Sequence, residues 1–514
     1  MSLLWIVLLL PLAGFFFLLF APRDSKSPFF ITLLATIVTF LFSLELIAPA
    51  IGNGAQFSSV IDPVWIHSPG LTIHFHLGVD GINLWLVLLT TLLLPIAVWA
   101  SELMIKDRPK NFFALLLLFE FGLIGVFTAL DLFVFYVFWE VALIPMYLMV
   151  GGWARARRGP VAVKFFVYTM LGSVFMLAAI IYLYTQTGSF DFVDIMNAVG
   201  SGHVLLSPTQ QLLLFLGFFA AFAVKVPIFP LHTWLPDTYT NAPAPATFLL
   251  AAVMSKMGAY GLLRYSITIA PTGAHRCASW IIPLAIIGII YGALLALIQP
   301  NIKRLIGYSS ISHLGFVVLG IFTFSQQGAD GAVYQMIAHG ISTGALFLLA
   351  GYLEVRRGSM EIADFGGMAT PAPGLATAFM IALFASIGLP SLCNFIGEYL
   401  VLQGAALTHF SWAVWAAIGV ILSAAYMLWM YQRTFFGRAR ESVASLPDLS
   451  GRDWASVVPL ILLMVWLGSY TQSFMPPISS ATAHLLEQTS MNNEYRVKLA
   501  APKPVQVAEV TNAR

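Results

Sequence analysis

The chain has 514 residues, 59% of them hydrophobic and only 9% charged, with a mean hydropathy of +0.87. A soluble domain covers its surface with roughly a quarter charged residues, so most of the outer surface of this chain faces lipid. A formal net charge of +2 gives no reason to expect nucleic acid or another polyanion as partner. The two cysteines, Cys277 and Cys393, cannot form a metal site by spacing and are weak candidates for a disulfide.

A helix needs about 20 apolar residues to cross the hydrocarbon core. The first such run, residues 2–20, has no Lys or Arg ahead of it, and Arg23 and Lys26 follow it. A cleaved leader carries its positive charge first, so this run reads as a retained first span. Further runs lie near 29–50, 81–101, 112–130, 132–151, 164–185, 211–231 and 243–265. The rest lie near 279–298, 303–324, 330–352, 374–405, 411–432 and 454–473, making fourteen.

Lys and Arg mark the cytoplasmic connections. Alternate connections hold Arg23 and Lys26, Lys106/Arg108/Lys110, Arg155/Arg157/Arg158/Lys164, Lys303/Arg304, Arg356/Arg357 and Arg433/Arg438/Arg440/Arg452. Of the intervening loops, 52–80, 186–210, 325–329 and 406–410 have neither residue, and the exception is the loop holding Arg264 and Arg276. This asymmetry predicts an inner-membrane protein with an even number of spans and both termini outside, on the periplasmic face.

Two spans read as interrupted. One is Phe222-Ala-Val-Lys-Val-Pro-Ile-Phe-Pro-Leu-His-Thr-Trp-Leu-Pro-Asp237, and the other runs from Gly388-Leu-Pro390 to Gly397-Glu398. Proline removes an amide donor and clashes with the carbonyl four residues back, so broken helices belong where backbone meets a cavity or another helix. Two breaks five spans apart predict two five-helix repeats, 112–265 and 279–432. An odd repeat length inverts one copy relative to the other. A three-helix region (1–111) precedes them, and the last span with a C-terminal tail (433–514) follows. The plainer alternative is that these prolines only kink packed helices. The expected fold class is thus an all-α polytopic membrane protein of about fourteen transmembrane helices.

An ionisable residue inside a span costs several kcal/mol unless paired or hydrated, and is a functional candidate by default. Six stand out: Glu140, Lys225 at the first break, Lys256, His313, His339, and Glu398 after the second break. Each has a bland reading as a structural hydrogen-bonding partner, a snorkelling lysine or a helix-locking ion pair. Six on six spans are harder to dismiss. No metal-ligand spacing, haem motif or glycine-rich nucleotide loop accompanies them, which points to transport. Their types suit protons, since burial favours a neutral lysine and a nearby carboxylate restores its charge. Histidine titrates near neutrality without either.

The segments Phe138-Trp-Glu140 with Pro145, Ala223-Val-Lys-Val-Pro227 and Leu231-His-Thr-Trp-Leu-Pro-Asp237 carry a family resemblance. So do Lys256 with Ala259-Tyr-Gly-Leu-Leu-Arg264, Lys303-Arg-Leu-Ile-Gly-Tyr-Ser309 with Ser312-His-Leu-Gly315, and Met336-Ile-Ala-His-Gly340. Together they resemble the antiporter-like subunits of respiratory complex I, in particular the chain M type (mitochondrial subunit four). The resemblance implies that Glu140 and Lys225 form a modulating ion pair and that Lys256, His313 and His339 form a hydrated relay. Glu398 would stand at the terminal site, where sister chains carry lysine. It further implies no redox cofactor on this chain, with FMN, iron–sulfur clusters and quinone on partner subunits, and sister antiporter-like chains as neighbours. One departure is bulk at the second break, Leu392 and Cys393, where the family usually has small residues. The rival readings are a subunit of a multi-component cation/proton antiporter or membrane-bound hydrogenase, and a passive membrane scaffold. Copurifying flavin and iron–sulfur subunits would separate the first from complex I.

Overall fold

The computed structural model describes residues 2–22, 26–54, 56–154, 158–200 and 202–491. Arg23, Arg155, Arg157 and the tail beyond Met491 lie outside the described residues. Thirteen helices among them are long and apolar enough to cross a membrane: Leu3–Phe20, Ser27–Gly52, Leu84–Met104, Pro109–Thr128, Leu132–Trp153, Gly159–Thr187, Pro208–Lys225, Ala244–Ile269, Pro271–Leu297, Ile302–Phe322, Gln326–Arg357, Phe410–Phe435 and Gly451–Ser469. The expected twelfth span is present as two pieces, Pro373–Ser386 and Cys393–Thr408, which brings the order along the chain to fourteen.

Both expected breaks are real. The seventh span stops at Lys225, and helix resumes only at Trp234–Asn241. The twelfth stops at Ser386 and resumes at Cys393, so Glu398 already lies in regular helix. Gly388 sits in this break at φ +75°, a backbone conformation open to glycine at little cost.

Half of the positive-charge exception resolves. Arg264 is not in a loop but inside the eighth span, buried, and paired with Asp80. Arg276 lies in the first turns of the ninth span, which begins at Pro271 rather than near 279. A two-sided arginine count therefore overstates the positive charge on that side.

One arrangement occurs twice, 170 residues apart. Asp131 caps the fifth span by accepting from the Phe133 and Val134 amides, and its backbone bridges to Asp191. Asn301 caps the tenth span by accepting from the Arg304 amide, and its backbone bridges to Glu361. The bonds match pairwise: Leu132 N to Phe190 O and Phe192 N to Leu130 O in the first copy, Ile302 N to Met360 O and Ile362 N to Pro300 O in the second. Each ties the start of one span to the chain segment that leaves the next.

The connection before the third span, expected as a plain loop, carries two small antiparallel pairings. Ser58–Ile61 pairs with Leu77–Val79, and Val64–Ser68 pairs with Leu71–His74 around a turn at Gly70, φ +80°. The loop is closed down by His76, which hydrogen-bonds Asp191. Burial opposes protonation of His76, but the Asp191 carboxylate outweighs it, so His76 titrates above its ordinary value. Past the last span, the helix Met475–Met491 docks on the bundle, with Ser479 and Thr482 donating to Asp330.

The eighth and eleventh spans form the centre: every residue in the most apolar window of each is buried. Lipid supplies little hydrophobic drive between helices, so close approach through small residues matters more. A Cβ at Gly258 would lie 2.7 Å from the Phe222 carbonyl oxygen and 2.9 Å from Lys225 Cβ. A Cβ at Gly340 would lie 2.7 Å from the Ala252 carbonyl oxygen and 2.7 Å from Leu89 Cδ2. These two glycines let the eighth span contact the seventh on one side and the eleventh on the other. Gly258→Val should therefore cost about 1–3 kcal/mol by overpacking, read as a lowered thermal midpoint and yield of the purified assembly. A wild-type midpoint would mean that the seventh and eighth spans are not in contact here.

Candidate functional site

Four of the six candidates meet in one buried chain. The eighth span widens into a π turn at Leu250–Met254, a distortion frequent at functional sites. Just beyond it Lys256 turns its Nζ back onto the Ala251 carbonyl, 2.5 Å away, and toward Ser255 Oγ at 3.2 Å. The same Nζ lies 2.7 Å from His339 Nδ1 on the eleventh span. If lysine holds its ammonium proton, Nδ1 of His339 is the acceptor, which places any ring proton on Nε2.

The His339 and His313 rings are 5.8 Å apart at their centroids, tilted by 50°. Both Nε2 atoms are buried and lack a protein hydrogen-bond partner. His313 Nδ1 is 2.7 Å from Glu398 Oε1, which also accepts from Gln335 Nε2 at 3.0 Å. The other oxygen, Oε2, lies against Gly388: a Cβ there would stand 3.1 Å from it. Glycine at 388 thus serves both the backbone turn and the space for the carboxylate. The bulk expected at this break lies elsewhere. Cys393 Sγ faces the Ala338 carbonyl at 3.6 Å and Asn394 Oδ1 at 3.4 Å, and the Leu392 backbone packs on Gly468.

Lys225 stands apart from this chain. It is 1% exposed, and its Nζ has no hydrogen-bond partner. Instead it lies 5.2 Å from the centre of the Trp139 ring and 5.8 Å from that of Phe165, cation–π distances that partly replace lost hydration. Glu140, half-buried, follows Trp139 in the sequence, but makes no ion pair with Lys225 in this conformation.

Several contributors escaped the sequence reading. Gln335 is one helical turn before His339, so spacing alone would have put it on the same face. Trp139 belonged to the Phe138-Trp-Glu140 segment, but nothing in the sequence marked it or Phe165 as the seat of Lys225. Glu120 is 0% exposed with neither carboxylate oxygen hydrogen-bonded; as an acid in the fourth span it was legible. The Ser310 and Ser312 hydroxyls, by contrast, are engaged with the Ile306 and Ile289 carbonyls. Among the described residues no group of three or more His, Cys, Asp or Glu converges as a metal-ligand set.

Residues 129–424, more than half of the chain, match the family model described as "NADH:quinone oxidoreductase/Mrp antiporter, TM". The chain belongs to this family. Among its relatives, "NADH-quinone oxidoreductase subunit M" of Rhodobacter capsulatus is 42% identical over 502 residues, covering 95% of this chain and 96% of the relative. Among solved structures, a chain of the respiratory complex I of Thermus thermophilus superposes with a TM-score of 0.84 at 33% identity, covering 95% of this chain and all of that one. A chain of the Mrp complex of a Dietzia species superposes with a TM-score of 0.83 at 20% identity, covering 95% and 98%. That last likeness is one of fold alone.

Within this buried chain, Gln335→Leu removes one of the two groups that orient the Glu398 carboxylate. A buried acceptor that loses a donor bears part of its desolvation cost. Proton pumping by the assembled complex should fall severalfold with assembly intact. Unchanged pumping would show that His313 alone orients Glu398.

Proposed function

We propose that this chain is the proton-translocating membrane-arm subunit of an NADH:quinone oxidoreductase in a bacterial inner membrane, with both termini on the periplasmic side. The observation that carries the reading is the buried chain from Lys256 through His339 and His313 to Glu398, which joins groups able to hold a proton across spans eight, eleven, ten and twelve. The 42% identity to a subunit M over nearly full length supports the choice of complex over a stand-alone antiporter. Glutamate at 398, where sister chains are expected to carry lysine, points the same way. FMN, iron–sulfur clusters and quinone belong to partner subunits in this reading, and sister antiporter-like chains adjoin this one. The doubled Asp131/Asp191 and Asn301/Glu361 bridges support two inverted five-span repeats, the first ending with the eighth span and the second beginning with the ninth.

In operation, Lys225 is the loading site. Its aromatic seat and lack of a fixed partner leave its charge dependent on the position of Glu140. When Glu140 swings toward it the ammonium is held; when Glu140 withdraws, the proton is released toward Lys256, whose helix touches the Lys225 stem at Gly258. Lys256 donates to His339 Nδ1, and the His339 ring passes a proton from Nε2 through a bridging water to Nε2 of His313. Nδ1–H of His313 then faces the Glu398 carboxylate. Each imidazole takes a proton on one nitrogen and releases one from the other.

Removing one member of a buried charge pair typically costs about 3–5 kcal/mol if the survivor stays ionised, but a survivor that changes protonation state escapes most of that. Glu140→Gln should therefore assemble and lose most proton pumping, with quinone reduction falling too if the steps are tightly coupled. Glu140→Asp should keep part of the activity. Pumping at wild-type levels in both Glu140→Gln and Lys225→Ala complexes would leave a passive scaffold as the better reading. Separately, a reporter fused after Arg514 should be active only when folded outside the cytoplasm; activity confined to the cytoplasm would reverse the orientation.

A further inference from the structure

From Lys256 the eighth span also carries two buried polar groups, Tyr260 and Arg264, that the lateral path does not use. Lys256, Tyr260 and Arg264 recur at four-residue intervals; the first two share one face of the α-helix about 6 Å apart along the axis, and Arg264 lies in the π turn Leu262–Ser266 that follows. Tyr260 is 0% exposed and Arg264 5%. The Arg264 guanidinium carbon lies 5.6 Å from the centre of the Tyr260 ring. The Tyr260 hydroxyl lies beside Arg264 and Asn83 without a hydrogen bond of normal geometry to either, and Arg264 Nε is likewise unpartnered. Arg264 is held by Asp80. Directly beyond this pair opens a cavity of about 320 Å³ whose lining includes Asp80, Arg264, Asn197, His484 and Gln488. Asn197 and His484 are exposed, so the cavity reaches the surface. It has room for several waters and the polar groups to hold them.

We propose that Tyr260 and this cavity form a proton outlet from Lys256 to the outer face, within the first half of the chain. It rests on the proposed function for the direction of flow and for which face is outer. The Lys256 ammonium gives up one proton and becomes neutral. The Tyr260 oxygen takes that proton through a water while its own hydroxyl proton leaves toward the cavity, and rotation of the hydroxyl restores the starting state. No tyrosinate forms. Arg264 would by itself repel the arriving proton, as a fixed cation does in a pore; Asp80 cancels that charge and makes the mouth passable.

A merely structural role for the pair is the alternative. Asp80 Oδ1 accepts from the Ile82 and Asn83 amides while the other oxygen holds Arg264, which would pin the 75–83 segment to the eighth span. That role leaves Tyr260→Phe without consequence. The test uses the whole complex in membrane vesicles, reading protons pumped per electron pair, with Glu140→Gln run alongside. On the outlet reading, Tyr260→Phe loses at least half of the pumping with normal assembly. Asp80→Asn also loses pumping, and Asp80→Asn combined with Arg264→Gln recovers it. An Asn197→Cys variant labelled with a membrane-impermeant maleimide from the outer side pumps severalfold less than the same variant unlabelled; native Cys277 and Cys393 are buried. Normal pumping in Tyr260→Phe beside a defective Glu140→Gln overturns the outlet and leaves the proposed function standing. Normal pumping in both overturns the proposed function itself. If Tyr260→Phe does not assemble, full pumping after complete labelling at position 197 overturns the outlet.

Discussion

The contact between Lys256 Nζ and His339 Nδ1, at 2.7 Å, is the interaction on which the rest of the centre depends. A lysine at that depth has no carboxylate within hydrogen-bonding distance; its partners are a carbonyl, a hydroxyl and an imidazole. The protein can hold such a group only by surrounding it with acceptors and excluding lipid, since an uncompensated charge in hydrocarbon is costly. That demand explains why the most apolar windows of the eighth and eleventh spans are buried throughout. It also explains the glycines at 258 and 340. A methyl group at either would push a neighbouring helix away, and a contact of 2.7 Å does not survive such a shift.

The outer spans meet a different demand. The first, second, thirteenth and fourteenth helices bury at most about two-fifths of their apolar windows and present the rest to lipid or to neighbouring chains. Polar backbone bonding ties down the starts of the fifth and tenth spans, where each bridge joins the start of one span to the segment leaving the next. Such bonds satisfy backbone groups that a span's end would otherwise leave open, so they suit the boundary of the bilayer. The two broken helices interrupt regular structure only beside these well-tied elements, where freed backbone groups meet protein rather than lipid.

The fold was largely legible because lipid imposes so strong a rule. Runs of about twenty apolar residues, with Lys and Arg at alternate ends, leave few readings. Even the break at Pro227 was plain from its three prolines. What the sequence could not convey was contact. Lys256, His313, His339 and Glu398 are spread over 143 positions, and nothing in their spacing says which nitrogen faces which oxygen. Nor did it show that Glu140 and Lys225 make no ion pair in this conformation, with Trp139 under the ammonium. Arg264 misled for a physical reason: arginine inside a span is rare, so at the edge of the 243–265 run it was counted with the loop. Only its partner Asp80, 184 residues away, makes the buried position tolerable.

A carboxylate at the end of the path changes the direction in which a proton moves most easily. With Lys256 charged and Glu398 ionised, the site holds a positive and a negative charge at opposite ends of two imidazoles. Moving the proton onto His339, then His313, brings the positive charge progressively closer to Glu398. Opposite charges attract more strongly as they approach, and more so in a medium of low dielectric than in water. At His313 the two are in contact at 2.7 Å, and transfer onto Glu398 cancels both charges. A lysine at 398 would reverse this, since each step would bring like charges together and the proton would tend to stay at Lys256. On the proposed relay, this attraction draws a proton on the lateral path toward the twelfth span, and a reset of that path acts at Glu398. The free side of that carboxylate, Oε2, faces Gly388 in the broken segment, where backbone can move without unwinding a helix.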